Sequence, residues 1–405
     1  MTTSDPGPAR PSRLGRVAIL LTAVVGLGAL SIDMFLPSLP ALARAYETGP
    51  ATAQLTVTLF LAGLAPAQLA WGPLSDRFGR RRTLLTGLGL YAAAGLACAL
   101  APGIRTLVAA RVLQAFGAGS GQVISRAIVR DVYALDQAAR VLALMGTAQA
   151  LNPILAPIIG GFLHALFGWR SVFFVLAGFG AVFVLAGAAM IPETNVRPDV
   201  TALRPVRFVG NLGTVLRDPT YLAYVLVVTF MFCGQFAFIS GSSFVLIQGL
   251  GVAPAVYGFC FAAVAVGIMS GSFMTSRLTG RVPGDRLILI GTGLGAAAGF
   301  SMATLAWSGV TGVAAVIAPM FFFSLGLGLA NPNAVAGAVG PYPHMAGLAA
   351  AGLGVIQMTG SAAYGITVGH LADGTAAPMA TAIATAGLAA FLGFSLLRRR
   401  RARAP

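Results

Sequence analysis

The chain has 405 residues, 57% of them hydrophobic and only 9% charged, with a net charge of +15. A soluble globular chain carries about 25% charged residues, so an ordinary soluble domain is excluded, and the short alternating strands of a membrane β-barrel are absent as well. A pI near 11.2 would suit a nucleic-acid partner, but the placement of the basic residues argues against one.

Apolar runs of bilayer-crossing length place twelve helical spans at roughly 17–40, 51–71, 83–101, 104–127, 139–163, 170–191, 219–241, 254–276, 286–306, 310–334, 344–368 and 376–397. Arg10, Arg13 and Arg16 precede the first run in the manner of a signal peptide. That run continues through Asp33 and Pro37 without a small-residue cleavage site, so it reads as span 1. Between spans 2 and 3 lies Gly72-Pro-Leu-Ser-Asp76-Arg77-Phe-Gly79-Arg80-Arg81-Arg82, a glycine-bearing segment with one acid and four arginines. The longest polar stretch, 192–218, divides the chain into six spans at 1–191 and six at 219–405. After span 8, Ser276-Arg277-Leu278-Thr279-Gly280-Arg281 is a degraded copy of the 76–80 segment at the corresponding place in the second half. Such an internal repeat implies an all-α integral membrane protein of two six-helix bundles around a central cavity, a plan suited to alternating access.

All basic residues are arginine. With the N-terminus inside, the outer loops hold only Arg44, Arg105 and Arg170, and the inner segments hold the loop arginines, those of the 192–218 linker and the Arg398–Arg401 tail. This is a positive-inside bias with both termini cytoplasmic. The tail reads as an anchor at anionic headgroups. Cys98, Cys233 and Cys260 lie in apolar spans and imply no disulfide framework.

Few residues in the spans carry chemistry. Asp33 is the acid placed well inside a span; a carboxylate there costs about 2.5–3.5 kcal/mol on insertion scales and marks a functional group. It is the candidate proton-binding residue. Arg111 in span 4 is the matching cation, with Asp33 as its expected partner and Gln114 on the same helix face. Gln114, Gln235, Phe236, Asn331 and Gln357 are candidates for the cavity wall, with Asn333 and the span-7 residues Phe230, Phe232, Phe238 and Phe244 behind them. Pro153, Pro157, Gly160 and Gly161 in span 5 serve bending and close contact. At the inner ends, Asp131 is expected to accept from Arg77 or Arg81, and Asp76 to face a helix N-terminus. With Gly72 and Gly79 these form a candidate gate whose contacts require the inner ends to be together. His164, His344 and His370 are too scattered for a metal site. No phosphate-binding loop, dinucleotide turn or Ser/His/acid set appears, so neither an enzyme nor a cofactor is expected.

These motifs resemble the major facilitator superfamily: the 72–82 loop its cytoplasmic motif, and Arg111-Val-Leu-Gln-Ala-Phe-Gly117 its span-4 motif. More narrowly the chain is similar to the Bcr/CflA drug-resistance transporters, through Ile32-Asp-Met-Phe-Leu-Pro-Ser-Leu-Pro40, Arg126-Ala-Ile-Val-Arg-Asp131, Phe236-Ala-Phe-Ile-Ser-Gly-Ser242, Asn331-Pro-Asn-Ala-Val-Ala336 and Gly347 to Met358. The resemblance implies a monomeric drug:proton antiporter of the bacterial inner membrane, in which Asp33 binds the coupling proton, Arg111 tunes it, and Asp76, Arg77, Arg81 and Asp131 gate the inner side. Ala156-Pro157 and Ser243 stand where that family has Gly-Pro and Pro. The rival readings are a metabolite importer or facilitator of the same fold and, further off, a receptor without transport.

Overall fold

Each apolar run folds into a helix that ends where glycine, proline or a charged residue interrupts it. The computed structural model describes residues 11–195 and 215–403, and the statements below concern these residues. Most of the linker therefore lies outside them, and of the arginine tail only the helical backbone is described.

Span 1 is broken into Pro11–Val25, Leu27–Asp33, the 3-10 turn Leu36–Ser38 and Leu39–Ala45. One break falls at Gly26, whose carbonyl accepts 2.9 Å from the Asn152 amide of span 5. The other follows Asp33, where Pro37 lacks an N–H to continue the ladder. Span 2 is Pro50–Phe78, span 3 Arg80–Ala99, span 4 Ile104–Val132, span 5 Leu135–Phe167 and span 6 Arg170–Met190. Span 7 is Pro219–Ser243 continued by the π-helical Phe244–Gly249, span 8 Pro254–Leu278, span 9 Gly284–Trp307, span 10 Val313–Val339, span 11 Ala346–Leu371 and span 12 Ala377–Arg403. Ten of these helices, and the bent first span as an eleventh, are long and apolar enough to cross a membrane. Span 4 has the length, 29 residues, but Arg111, Gln114 and Gln122 in its middle lower its hydropathy.

The helix pairs repeat between halves. Spans 2 and 3 pack on span 4, and span 3 on span 6; in the second half spans 8 and 9 pack on span 10, and span 9 on span 12. This makes two six-helix bundles of the same plan. They meet along two seams, span 2 against span 11 and span 5 against span 8, which are images of one another under the repeat. Lipid offers no hydrophobic drive between helices, so close approach depends on small residues. A Cβ at Gly117 would stand 2.6 Å from the Tyr91 backbone nitrogen, and one at Gly291 would stand 2.5 Å from the Gly326 carbonyl. Gly160, Gly161, Gly258 and Gly369 play this part on the interior and at the seams. They sit against the Met34 carbonyl, the Pro254 carbonyl, the Pro157–Ile158 backbone and the Gln54 side chain. These contacts hold together the ends remote from the arginine clusters. Toward the arginine-rich end the last such contact is Gly354 with Gln68, whose amide also reaches the Met358 sulfur at 3.6 Å.

Span 7 starts under an N-cap: the Asp218 carboxylate accepts from the Thr220 N–H at 2.7 Å and from the Tyr342 hydroxyl at 2.5 Å. Burial alone would raise this carboxyl, but those donors and the Tyr221 N–H outweigh it and hold it below its ordinary range.

Gly117→Ala is expected to cost about 1–3 kcal/mol by overpacking, read as a lower unfolding midpoint in detergent. Gly89→Ala, where nothing lies within 4 Å of the added methyl, is expected not to lower the midpoint and to raise it slightly, alanine being the better helix former.

Candidate functional site

The bundles enclose a cavity of about 300 Å³ lined from spans 1, 2, 5, 7, 8, 10 and 11. Its polar groups are Asp33, Gln235, Ser272, Asn331 and Gln357, and its aromatic wall is Phe232, Phe236 and Phe261. Of the residues singled out in the sequence, Asp33, Gln235, Phe236, Asn331, Gln357 and Pro153 thus come together around one space. Gln235 is held in place by the Ser324 hydroxyl, which donates to its Oε1 at 2.9 Å. The Asn331 Oδ1 is buried without a protein partner, an acceptor available to an occupant. Asp33 closes the Leu27–Asp33 helix and is only 5% exposed. Neither ion pair formed among the described residues involves it. In the second bundle the Tyr257 hydroxyl lies 2.8 Å from the Ser242 hydroxyl.

The expected Arg111–Asp33 pair is not formed. Arg111 is fully buried inside the first bundle. Its Nε donates to the Thr56 carbonyl at 3.1 Å, one Nη to the Gln114 Oε1 at 2.8 Å and the other to the Ser31 carbonyl at 3.1 Å. The rings of Phe60, Phe35 and Phe173 surround it, with centroids at 4.1, 5.4 and 5.6 Å. A delocalised guanidinium is stabilised by fixed carbonyl dipoles and aromatic faces without a carboxylate. Gln114 is consequently a wall of this cage and not of the cavity. The Ser31 hydroxyl bonds the Tyr91 hydroxyl at 2.7 Å, which fixes the carbonyl that Arg111 grips. Arg111 therefore reaches Asp33 through two residues of span-1 backbone. Neither the cage carbonyls nor Tyr91, Phe60 and Phe173 carried a sequence signal, because each is an ordinary residue in an apolar helix until the fold turns it inward.

At the arginine-rich end the segment 72–82 is no extended loop. Span 2 runs on as helix through Gly72 and Pro73 to Phe78, and Gly79, at φ 96°, makes the whole turn. Arg80 is the hub: it pairs with Asp76 at 2.5 Å and through Nε with Asp131 at 3.1 Å. Asp131 was expected on Arg77 or Arg81; the geometry of a one-residue turn directs Arg80 toward span 4 instead. Asp76 was expected at a helix N-terminus, but Glu193, just after span 6, takes that place. It accepts from the Arg80 and Arg81 backbone N–H groups at 2.8 and 3.2 Å, and a Cβ at Gly79 would meet its Oε2 at 2.5 Å. Thr194 adds a bond to Asp131 at 3.2 Å, and Asn195 one to the Asp76 carbonyl at 2.7 Å. All these contacts lie within the first bundle and the start of the linker. They form while the arginine-poor ends are joined, so they do not require the arginine-rich ends of the two bundles to meet.

The other sequence candidates take structural places. Phe238 packs on Phe261 as a tilted pair with centroids 5.7 Å apart, Phe230 packs on the core, Phe244 lies on a separate small pocket beside Gln54, and Asn333 donates to its own helix at Leu329. No group of three His, Cys, Asp or Glu side chains that could hold a metal occurs among the described residues.

A family model described as Major Facilitator Superfamily matches residues 21–368. The chain is 34% identical over 388 residues to an "Uncharacterized MFS-type transporter YdgK" of Bacillus subtilis, covering 95% of this chain and 96% of that one. It is 30% identical to a "Bicyclomycin resistance protein homolog" of Haemophilus influenzae, over 88% and 91% of the two chains. It is 28% identical to "Multidrug resistance protein D" of Escherichia coli, over 85% and 86%. The crystal structure of a D-xylose-proton symporter superposes with a TM-score of 0.75 at 16% identity, over 95% of this chain and 97% of that one.

Arg111→Lys is expected to lower stability by about 1–3 kcal/mol, because a single ammonium cannot serve three fixed acceptors. Glu193→Ala, which strips the cap from span 3, should cost about 1 kcal/mol. Unfolding midpoints of the purified variants check both.

Proposed function

The chain belongs to the major facilitator superfamily, and from that premise we propose that it is a drug exporter of the bacterial inner membrane, driven by proton antiport through alternating access. The observation that carries this reading is Asp33: a carboxylate without an ion-pair partner among the described residues, on the wall of a cavity between two bundles. Amides at Gln235, Asn331 and Gln357 and the rings of Phe232, Phe236 and Phe261 offer a varied occupant both hydrogen bonds and a flat apolar surface. The relatives whose names refer to bicyclomycin and multidrug resistance support a drug-like substrate.

The division proposed is a first bundle at 1–191, a linker at 192–218 and a second bundle at 219–405. The arginine-rich end is assigned to the cytoplasm, with both termini, by the positive-inside bias. The structure then corresponds to a state closed outward along both seams. In the cycle we infer, substrate enters from the cytoplasm against ionised Asp33. The seams part at the outer side, and a proton taken from outside by Asp33 displaces the substrate. Proton and substrate compete, each favouring a different side of one equilibrium. Arg111 acts as a positioning residue, gripping the Ser31 carbonyl so that the end of the Leu27–Asp33 helix faces the cavity. For an uncharged substrate one proton suffices as a driving force, since a charge crossing 100 mV supplies about 2.3 kcal/mol, a concentration ratio of about 50-fold; a monovalent cationic substrate exchanges for the proton without net charge movement and is driven by the pH difference alone.

Proteoliposomes carrying Asp33→Asn, which holds that side chain permanently neutral, are expected to bind a fluorescent cationic dye more weakly and with an affinity that no longer depends on pH, and to lose dye efflux driven by an inward proton gradient. Unimpaired gradient-driven efflux by this variant would overturn the coupling role. Uptake in the direction of the proton gradient by the unaltered protein would instead identify an importer.

A further inference from the structure

At the arginine-rich end a second, larger crevice of about 740 Å³ opens between the Gly79 turn and the end of span 6. The reading of the central cavity makes no use of it. Three arginines line it, Arg77, Arg81 and Arg82. The fourth arginine of the segment, Arg80, is committed to Asp76 and Asp131. The one carboxylate on the crevice wall, Glu193, is occupied by the backbone N–H groups of Arg80, Arg81, Thr194 and Asn195. No ion pair among the described residues involves Arg77, Arg81 or Arg82. Arg81 is steadied by a 2.6 Å bond to the Ala188 carbonyl, and the Arg77 guanidinium lies 5.3 Å from the Phe78 ring centroid.

Part of the remaining wall is apolar and exposed. Phe78 is 55% exposed, and Ala188 and Ala189 are exposed beside it. A site for a free hydrophilic anion has no use for such a wall, whereas a lipid brings a phosphate for the guanidinium groups and acyl chain for the ring. The crevice also sits where spans 2 and 6 end and span 3 begins, the place along a spanning helix where charged side chains meet lipid headgroups. Arginines that only set topology have no need to converge on one crevice. The sequence twin at 276–281 illustrates the difference: Arg277 lies over the Phe273 ring, but neither it nor Arg281 lines a described pocket of this kind.

We propose that this crevice binds the phosphate headgroup of an anionic phospholipid, with Arg77, Arg81 and Arg82 as its ligands and Phe78, Ala188 and Ala189 as the seat for its chain. The shared chemistry is a phosphate oxyanion on guanidinium donors. The proposal does not depend on what the central cavity transports.

Native mass spectrometry of the full chain, released from micelles containing either phosphatidylglycerol or phosphatidylcholine, tests it. The unaltered protein is expected to retain phosphatidylglycerol selectively. The double variant Arg77→Ala/Arg82→Ala is expected to retain it about 25-fold less well, from about 1 kcal/mol for each arginine near an anionic surface. The double variant Arg277→Ala/Arg281→Ala, with the same loss of charge, is expected to behave like the unaltered protein. Unfolding midpoints in neutral lipid confirm that both variants fold. Equal losses in the two variants would overturn the site in favour of a general charge effect. Displacement of the lipid by millimolar inorganic phosphate would overturn the lipid as its occupant and leave a free-anion site.

Discussion

A guanidinium held in a membrane-embedded helix bundle without a carboxylate is the constraint on which the rest of the structure depends. Arg111 cannot shed its proton, and removing it from water is costly unless its donors are all met. The first bundle meets that demand with two backbone carbonyls, one amide and three aromatic rings. Spans 1, 2, 4 and 6 all contribute, so the charge ties the bundle together from inside. Because Arg111 is satisfied this way, Asp33 remains without an ion-pair partner among the described residues and faces the cavity. Had the two residues paired, the carboxylate would have been spent on structure.

The same separation of duties recurs at the arginine-rich end. Arg80 bridges two carboxylates from different helices, and Glu193 occupies the N-terminus of span 3. Exposed ion pairs are individually worth about 0–1 kcal/mol, so the strength of this region lies in its connectivity: one turn, two helix ends and the first residues of the linker share a single hydrogen-bonded set. Whatever moves span 6 must move this set with it. The two bundles touch elsewhere along seams where glycine meets backbone, in spans 5 and 8, or a glutamine side chain, in spans 2 and 11; with few polar contacts to break, these faces can part.

Much of the plan was legible in the chain. Bilayer length and apolar composition dictate helices, because no other open structure satisfies its backbone in lipid. Proline and glycine dictate where those helices end, and the arginine distribution distinguishes one end of the helices from the other. The cost of an acid in an apolar span singles out Asp33 before any coordinates, and the same reasoning finds Gln235, Asn331 and Gln357. The pairing of charges was not legible. Sequence arithmetic matches Arg111 to the nearest available acid, and matches Asp131 to any arginine of the loop. It cannot see carbonyl oxygens, which every residue has, or anticipate that a one-residue turn at Gly79 points Arg80, and not its neighbours, toward span 4.

By itself, then, the sequence determined that this protein is a twofold-repeated helical membrane protein with one acid set inside an apolar span, since burial costs and helix periods are local properties that composition records. Only the tertiary structure decided which groups satisfy one another. It gave Arg111 to the carbonyls of Ser31 and Thr56, Asp131 to Arg80, and the cap of span 3 to Glu193, 113 positions away from the Arg80 nitrogen it binds. Such assignments depend on distance and angle between helices, and those exist only once the bundles have packed.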